Sequence, residues 1–464
     1  MRQAYLGPNR RQVLGGLAAV SFARPSFAAV PELVAAQTAV QLAPEGYAPT
    51  PVWAFGGQVP GPVLRAGQGT RMQQRVVNNL DAPTSVHWHG IRLENAMDGV
   101  AGLTQQAIAP GESFDYDFRL PDAGTYWYHS HNRSFEQVAR GLLGPLIVDE
   151  ADPPEVDFDE VLMLDDWRFA QDATLMEGFG ALMDASHAGR IGNWVTVNGR
   201  GAWSKPMPRG ARVRLRLING ANARVFQLRL AGMRAAVVAF DGMPVDMPQE
   251  TDTVALAPAQ RVDLIADIVA DEGEEALILS RERDGDYAVA SFPVEAGQEP
   301  RSTEFPTLPP NPVSLPDMPS ILGATMHEMR LEGGAMRGIA SAMHQGEELD
   351  GRSLAERGMV WALSGVAGMP EAPYLEVARG ETVRIGLTND TAWPHGMHLH
   401  GHHFLEFAGA PAADAPSRLR DTTLLGPGER REIAFVADNP GDWLIHCHML
   451  EHAASGMMTW IRVT

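Results

Sequence analysis

The sequence predicts an all-β protein built from three related β-sandwiches. Three observations carry this reading. A pattern occurs three times along the chain, apolar and polar residues alternate with period two inside it, and short strand-like runs are cut by Gly and Pro turns with few long helical patterns.

The first copy holds Leu64-Arg65-Ala66-Gly67-Gln68-Gly69-Thr70, then Val76-Val77-Asn78-Asn79, then His87-Trp88-His89-Gly90. The third holds Val377-Ala378-Arg379-Gly380-Glu381-Thr382-Val383-Arg384-Ile385, Asn389 and His398-Leu399-His400-Gly401. The middle copy, Pro208 to Asn219, has no histidine. Each copy then meets a turn: Pro110-Gly111-Glu112, Pro258-Ala259-Gln260-Arg261 and Pro427-Gly428-Glu429-Arg430. The first and third close alike, in Tyr128-His129-Ser130-His131 and Ile445-His446-Cys447-His448. Alternation over Arg212–Leu217 and Ser113–Leu120 marks half-buried strands. The three sandwiches are placed at 31–150, 155–300 and 325–464. A proline-rich stretch, dense from Pro300 to Pro319, reads as a stiff linker over 301–324.

Composition bounds the function. The 464 residues carry 37 basic and 57 acidic side chains, a formal charge of −20, 45% hydrophobic residues and one cysteine. A chain of this length buries several cores, so wholesale disorder is excluded. One cysteine excludes an intrachain disulfide and any multi-cysteine zinc or iron–sulfur site. The acidic balance argues against a nucleic-acid partner, which would need a basic face.

Residues 1–28 contain Arg2, Arg10, Arg11 and Arg24 and no acid. A short apolar run from Val13 to Ala23 follows, too short to span a bilayer, and Ser26-Phe27-Ala28 offers small residues for cleavage. The Arg10-Arg11 pair resembles a twin-arginine signal. The expectation is export by the twin-arginine machinery to a periplasmic or other exterior location, without stable membrane insertion. Removal of 1–28 takes the formal charge from −20 to −24.

Fifteen histidines placed at random would give about 0.5 His-x-His pairs. There are five, at 87/89, 129/131, 398/400, 400/402 and 446/448. On a strand, residues i and i+2 share a face, so each pair presents two imidazoles together. Neutral imidazole is a common ligand of copper and zinc. If the first and third sandwiches face each other, eight imidazoles converge, too many for one ion. Cys447 points opposite to His446 and His448. With His452, Met457 and a second histidine, for which His395 is the candidate, it makes a blue-copper ligand set. A zinc reading lacks thiolates and any His-Glu-x-x-His helix.

These motifs, His87-Trp88-His89-Gly90, Tyr128-His129-Ser130-His131, His395-Gly396-Met397-His398-Leu399-His400-Gly401-His402 and His446-Cys447-His448-Met449-Leu450-Glu451-His452 with Met457, resemble the four copper-binding motifs of the multicopper oxidases. Twelve ligand positions match in type and order, and the likeness covers nearly all of the chain after residue 28. It implies three cupredoxin-like Greek-key sandwiches and four copper ions: one type 1, one type 2 and two type 3. By resemblance, His395, Cys447, His452 and axial Met457 hold the type 1 copper. His87 and His398 hold type 2. His89, His129 and His448 hold one type 3 copper, and His131, His400 and His446 the other. Gly396 stands where the family usually has proline. His402 and His403 are surplus to this set and are read as lying beside the sites or at the surface.

The resemblance implies four one-electron oxidations of a small reductant coupled to reduction of O₂ to water. Cys447 links the two centres through its neighbours in sequence. Asp98, in Met97-Asp98-Gly99, resembles the family's acid near type 2 copper; as a residue of an Asp-Gly turn it also has a purely local reading. Many bacterial members carry an acid after the second type 1 histidine; here it is Ala453, with Glu451 on the other side. The reductant is read as a phenol, in the manner of a laccase. The alternative is a periplasmic cuprous or ferrous metallo-oxidase, for which Met326–His344 offers four methionines and two histidines. Asp390 and Asp421 are weaker candidates for substrate contact and for support of the ligands. A copper-free structural protein of the same fold is the remote alternative.

Overall fold

Alternation of buried and exposed side chains sets the strands. Strand pairing gathers them into three pairs of larger sheets and one two-stranded ribbon, Ser341–His344 with Glu347–Asp350, among the described residues. The computed structural model describes residues 30–409, 411 and 418–464; the export signal expected over 1–28 lies outside them. In the first sandwich, Thr50–Phe55, Glu32–Val40, Arg71–Asn78 and Ser113–Arg119 form one sheet in that order. Leu64–Gly67, Leu143–Asp149, Gly124–Ser130 and Val86–His89 form the other. The third sandwich repeats the plan: Leu375–Val377, Met458–Val463, Gly441–Cys447, His395–Leu399 and Thr422–Leu425 make its histidine-bearing sheet. The sandwiches are those that the repeat predicts, and their architecture is the cupredoxin-like one that the family resemblance implies.

Buried apolar side chains of the first and third sandwiches join in one contact cluster, from Trp88 and Phe118 to Trp361, Trp443 and Cys447. The second sandwich has a separate core around Leu215, Leu264 and Phe292. A shared core fixes the first and third sandwiches against each other, which lets their histidine-bearing sheets meet.

One expectation changes. The alternation of Arg212–Leu217 predicts a strand with a solvent face, yet all of Arg212–Asn219 is buried. Its arginine face is covered by neighbours of opposite charge. Arg214 pairs with Glu150 at 2.8 Å and Asp263 at 2.6 Å, and Arg216 pairs with Asp159 at 2.7 Å. Arg216 also donates to Thr125 Oγ1 of the first sandwich at 3.1 Å. Guanidinium groups can be buried in this way because their planar forks match carboxylates.

The proline-rich stretch lacks regular structure up to residue 317. It then forms a short helix, Met318–Gly323, capped by Asp317, whose carboxylate accepts from the Ser320 amide. Before that helix the chain is pinned. Phe305 and Leu308 are buried, and Asn311 exchanges two hydrogen bonds with the Ala123 main chain, at 2.8 and 2.7 Å. Among the described residues no helix is long and apolar enough to cross a membrane.

Candidate metal centres

Two antiparallel strand pairs build both candidate centres. Val86–His89 pairs with Gly124–Ser130, setting His87 opposite His129 and Trp88 opposite Tyr128. Paired residues share a face, so the histidines point one way and the aromatic rings the other, into the core. His395–Leu399 pairs with Gly441–Cys447, setting His398 opposite His446 and Met397 opposite Cys447. One register therefore sends His446 to one side of the sheet and Cys447 to the other.

The two sandwiches bring their histidines together. His87 stacks on His400 with ring centroids 3.9 Å apart, and His89 stacks on His398 at 3.8 Å. His131 meets His446 at 5.4 Å and His129 meets His448 at 5.1 Å. All eight rings thus surround one space.

Six of the eight rings are anchored at one nitrogen by an oxygen. His87 Nδ1 donates to the Asp98 carbonyl at 2.8 Å and His398 Nδ1 to the Asp421 carbonyl at 2.9 Å. His129 and His446 use Nδ1 on the carbonyls of Ser130 and Cys447, both at 3.0 Å. The opposite nitrogens of His87, His131 and His398, together with Nδ1 of His89 and of His448, are buried without a partner. His400 Nε2 and His446 Nε2 face each other at 3.1 Å. Burial first, and then the neighbouring rings, holds His89, His129, His400, His446 and His448 neutral, with pKa values well below the usual histidine range. Unpaired nitrogens are costly when buried, so a converging set of neutral imidazoles fits metal ions.

Two carboxylates flank the rings, one at each end. Asp98 Oδ2 accepts from His400 Nδ1 at 2.9 Å, while its Oδ1 lies 3.2 Å from His87 Nδ1 and makes no hydrogen bond. Asp421 Oδ1 accepts from His89 Nε2 at 3.3 Å and from Thr422 Oγ1 at 2.8 Å. Burial alone would raise the Asp421 pKa, but Arg261, at 2.6 Å, and then His89 hold it well below the usual carboxylate range. Arg261 carried no signal in the sequence. It sits in a turn shared with the other two copies, and only the fold brings it to Asp421.

The second centre lies across the sheet. Cys447 Sγ is 3.5 Å from His395 Nδ1 and 3.8 Å from His452 Nδ1, and those nitrogens are 3.1 Å apart. Met457 is fully buried in the same apolar cluster, and its carbonyl accepts the Cys447 amide at 3.1 Å. Burial pushes the Cys447 thiol up to about 12, so a thiolate here needs a cation beside it. Trp361 packs on both histidines, at 4.9 and 4.5 Å. Three consecutive carbonyls of the second sandwich cover the site. Ala185 accepts from Trp361 Nε1, Ser186 from the Ala335 amide at 2.7 Å, and His187 from His452 Nε2 at 2.8 Å.

The remaining candidates fall elsewhere. His402 and His403 are buried just behind the cluster, with His403 Nε2 at 3.3 Å from the Asp241 carbonyl. Asp390 is half exposed and pairs with Arg337. Glu451 turns to Asn222 of the second sandwich, at 3.0 Å, and burial raises its pKa to about 7. Ala453 lines a cavity of about 190 Å³ that reaches His131 and His446 and also touches Val100, Arg133 and Met458. The methionines of Met326–His344 do not converge: Met329 is core, Met336 is 88% exposed, and His344 is spent on the Ala367 carbonyl.

Sandwiches of this kind, with imidazoles converging on one face and a Cys/His/Met set on the other, define a copper-binding oxidase. Three domain models described as multicopper oxidase match residues 36–153, 158–275 and 346–464. The chain is 31% identical to multicopper oxidase MmcO of Mycobacterium tuberculosis, covering 87% of this chain and 82% of that one. It is 28% identical to copper resistance protein A of Pseudomonas syringae pv. tomato, covering 88% and 89%. The crystal structure of Lac15 from a marine microbial metagenome superposes with a TM-score of 0.75 and 44% identity, covering 94% and 100%. The chain belongs to the multicopper oxidase family. It is an oxidoreductase that uses copper and takes O₂ as acceptor.

Gly99 tests the packing around Asp98. Its φ is +82°, and a Cβ there would stand 1.8 Å from the Val86 carbonyl oxygen. Gly99→Ala is expected to cost about 1–3 kcal/mol of stability, read as a lower denaturant midpoint of the copper-free protein.

Proposed function

We propose that this oxidase holds four copper ions in two centres. His395, Cys447, His452 and Met457 bind the type 1 ion. His87 and His398 bind type 2. His89, His129 and His448 bind one type 3 ion, and His131, His400 and His446 the other. The observation that carries this is the set of buried, unpartnered imidazole nitrogens converging on one space while Cys447, one residue away, faces the opposite side of the strand.

Copper bound there supplies one-electron acceptance at the Cys447 centre and reduction of O₂ to water at the histidine cluster. The chain's own residues do the rest. The covalent backbone from Cys447 to His446 and His448 gives the shortest link between the centres. The Asp98 and Asp421 carbonyls and the Asp98 carboxylate fix ring tautomers, so that the free nitrogens point inward. Asp98 Oδ1, buried and free of hydrogen bonds, is the atom placed to hold a proton for water formation. The cavity beside Ala453 gives small molecules a way to His131 and His446. It offers no carboxylate there, where many bacterial members carry one, so the proton role is assigned to Asp98.

The reductant is a phenol. The methionines of Met326–His344 lie on two strands and an exposed loop and form no soft-metal cluster beside Cys447. The likeness to copper resistance protein A favours a second reading, oxidation of cuprous or ferrous ions. Residues 1–28 direct export through the twin-arginine machinery to the periplasm or exterior.

Steady-state oxidation of a methoxyphenol, Cu(I) and Fe(II), with and without added Cu(II), separates the reductants. Turnover of the phenol without added copper is expected, and dependence on extra Cu(II) would favour the metallo-oxidase. Cys447→Ser is expected to remove the visible thiolate-to-copper band and all oxidase activity. A blue, active variant would refute the type 1 assignment. Asp98→Asn should slow O₂ reduction by about 10²-fold while type 1 reduction, followed by stopped-flow bleaching, keeps its rate. Equal slowing of both steps would count against a proton role.

A further inference from the structure

We propose that Arg261, contributed by the histidine-free middle sandwich, is a positioning residue for the copper cluster: it locks Asp421, and through Asp421 it fixes the rings of His89 and His398. The inference rests on the ligand assignment above and adds to it a part for the copy of the repeat that carries no ligands.

Every N–H of the Arg261 side chain is used. Nε donates to the Thr125 carbonyl at 3.1 Å, in the first-sandwich strand that carries His129. Nη1 donates to the Ala259 carbonyl at 3.1 Å and to Asp421 Oδ1 at 2.9 Å. Nη2 donates to the Asp241 carbonyl at 3.0 Å and to Asp421 Oδ2 at 2.6 Å. The side chain is fully buried, and its five donors reach all three sandwiches. Asp421 then has no freedom to turn. Its Oδ1 faces His89 Nε2, and its main-chain carbonyl holds His398 Nδ1. These contacts leave His89 Nδ1 and His398 Nε2 directed at the cluster.

Gly90 gives independent support. It follows His89 at φ +87°, and a Cβ there would lie 2.3 Å from Arg261 Nη2 and 2.6 Å from Asp421 Oδ2. The glycine that ends the first histidine motif therefore makes room for the arginine of the middle copy. Lysine cannot replace it, since an ammonium offers three donors from one point and cannot span Asp421 and three carbonyls.

The test uses copper-loaded full chain. Arg261→Lys and Asp421→Asn are each expected to keep the visible type 1 band and to lose more than half of the type 2 signal in electron paramagnetic resonance. The double variant should lose no more than Asp421→Asn alone, because the arginine acts through the aspartate. Should Arg261→Lys not fold, Asp421→Asn, which leaves three carbonyl bonds on the guanidinium, decides. In copper-free protein, ¹⁵N-histidine spectra are expected to show one tautomer each for His89 and His398, and mixed tautomers in the variants. Unchanged type 2 signal and unchanged tautomers would overturn the inference. So would equal loss of both copper types, which marks a merely structural role. Wild-type protein that shows fixed tautomers but takes up no type 2 copper would instead overturn the ligand assignment.

Discussion

The buried ion pair between Arg261 and Asp421 is the contact on which the rest depends. It lies where the three sandwiches meet, and both of its side chains are wholly buried, 2.6 Å apart. Removing two charges from water is expensive, and breaking such a pair by deleting one partner typically costs about 3–5 kcal/mol. The cost is offset here because each guanidinium N–H finds an acceptor. The pair also gives the middle sandwich a reason to be buried against the other two. The Arg214 and Arg216 networks extend that contact along the neighbouring strand.

Around this junction, geometry does most of the chemical work. A single antiparallel register places His446 and Cys447 on opposite faces of one strand, and the pairing with His398 and Met397 carries the same division onto the next. The first sandwich supplies a matching pair of histidines through its own register. The cluster is therefore bilateral. His87 and His400 stack at one end under Asp98, and His89 and His398 stack at the other under Asp421. Burial keeps the rings neutral, and Arg261 keeps Asp421, at one end, well below the usual carboxylate range.

Much of this was legible in the sequence because strands have period two. Five His-x-His pairs imply shared faces, and the repeat implies three sandwiches. What stayed hidden depends on contacts between distant residues. Nothing in Pro258-Ala259-Gln260-Arg261 distinguishes it from the turns of the other copies. The solvent face expected for Arg212–Leu217 vanished because acids of its own sandwich, with Glu150 and Thr125 of the first, cover the arginines. His402 and His403 turned out to be wholly inside, and Glu451 faces Asn222 and not Ala453's cavity. The carbonyls over the Cys447 centre could not be foreseen, since a main-chain acceptor leaves no mark on residue identity.

Those carbonyls have a consequence for how the protein meets its donors. His452 Nε2 is bonded to the His187 peptide and is thus shut off from direct ligation by solutes. On the proposed assignment, a donor at this face would meet an amide one hydrogen bond away from the imidazole. If copper sits here as proposed, an electron entering from this face would cross a peptide layer, so driving force and distance would weigh more than the donor's shape. The same layer keeps water off the ring, which would limit solvent rearrangement on a change of charge at an ion bound there.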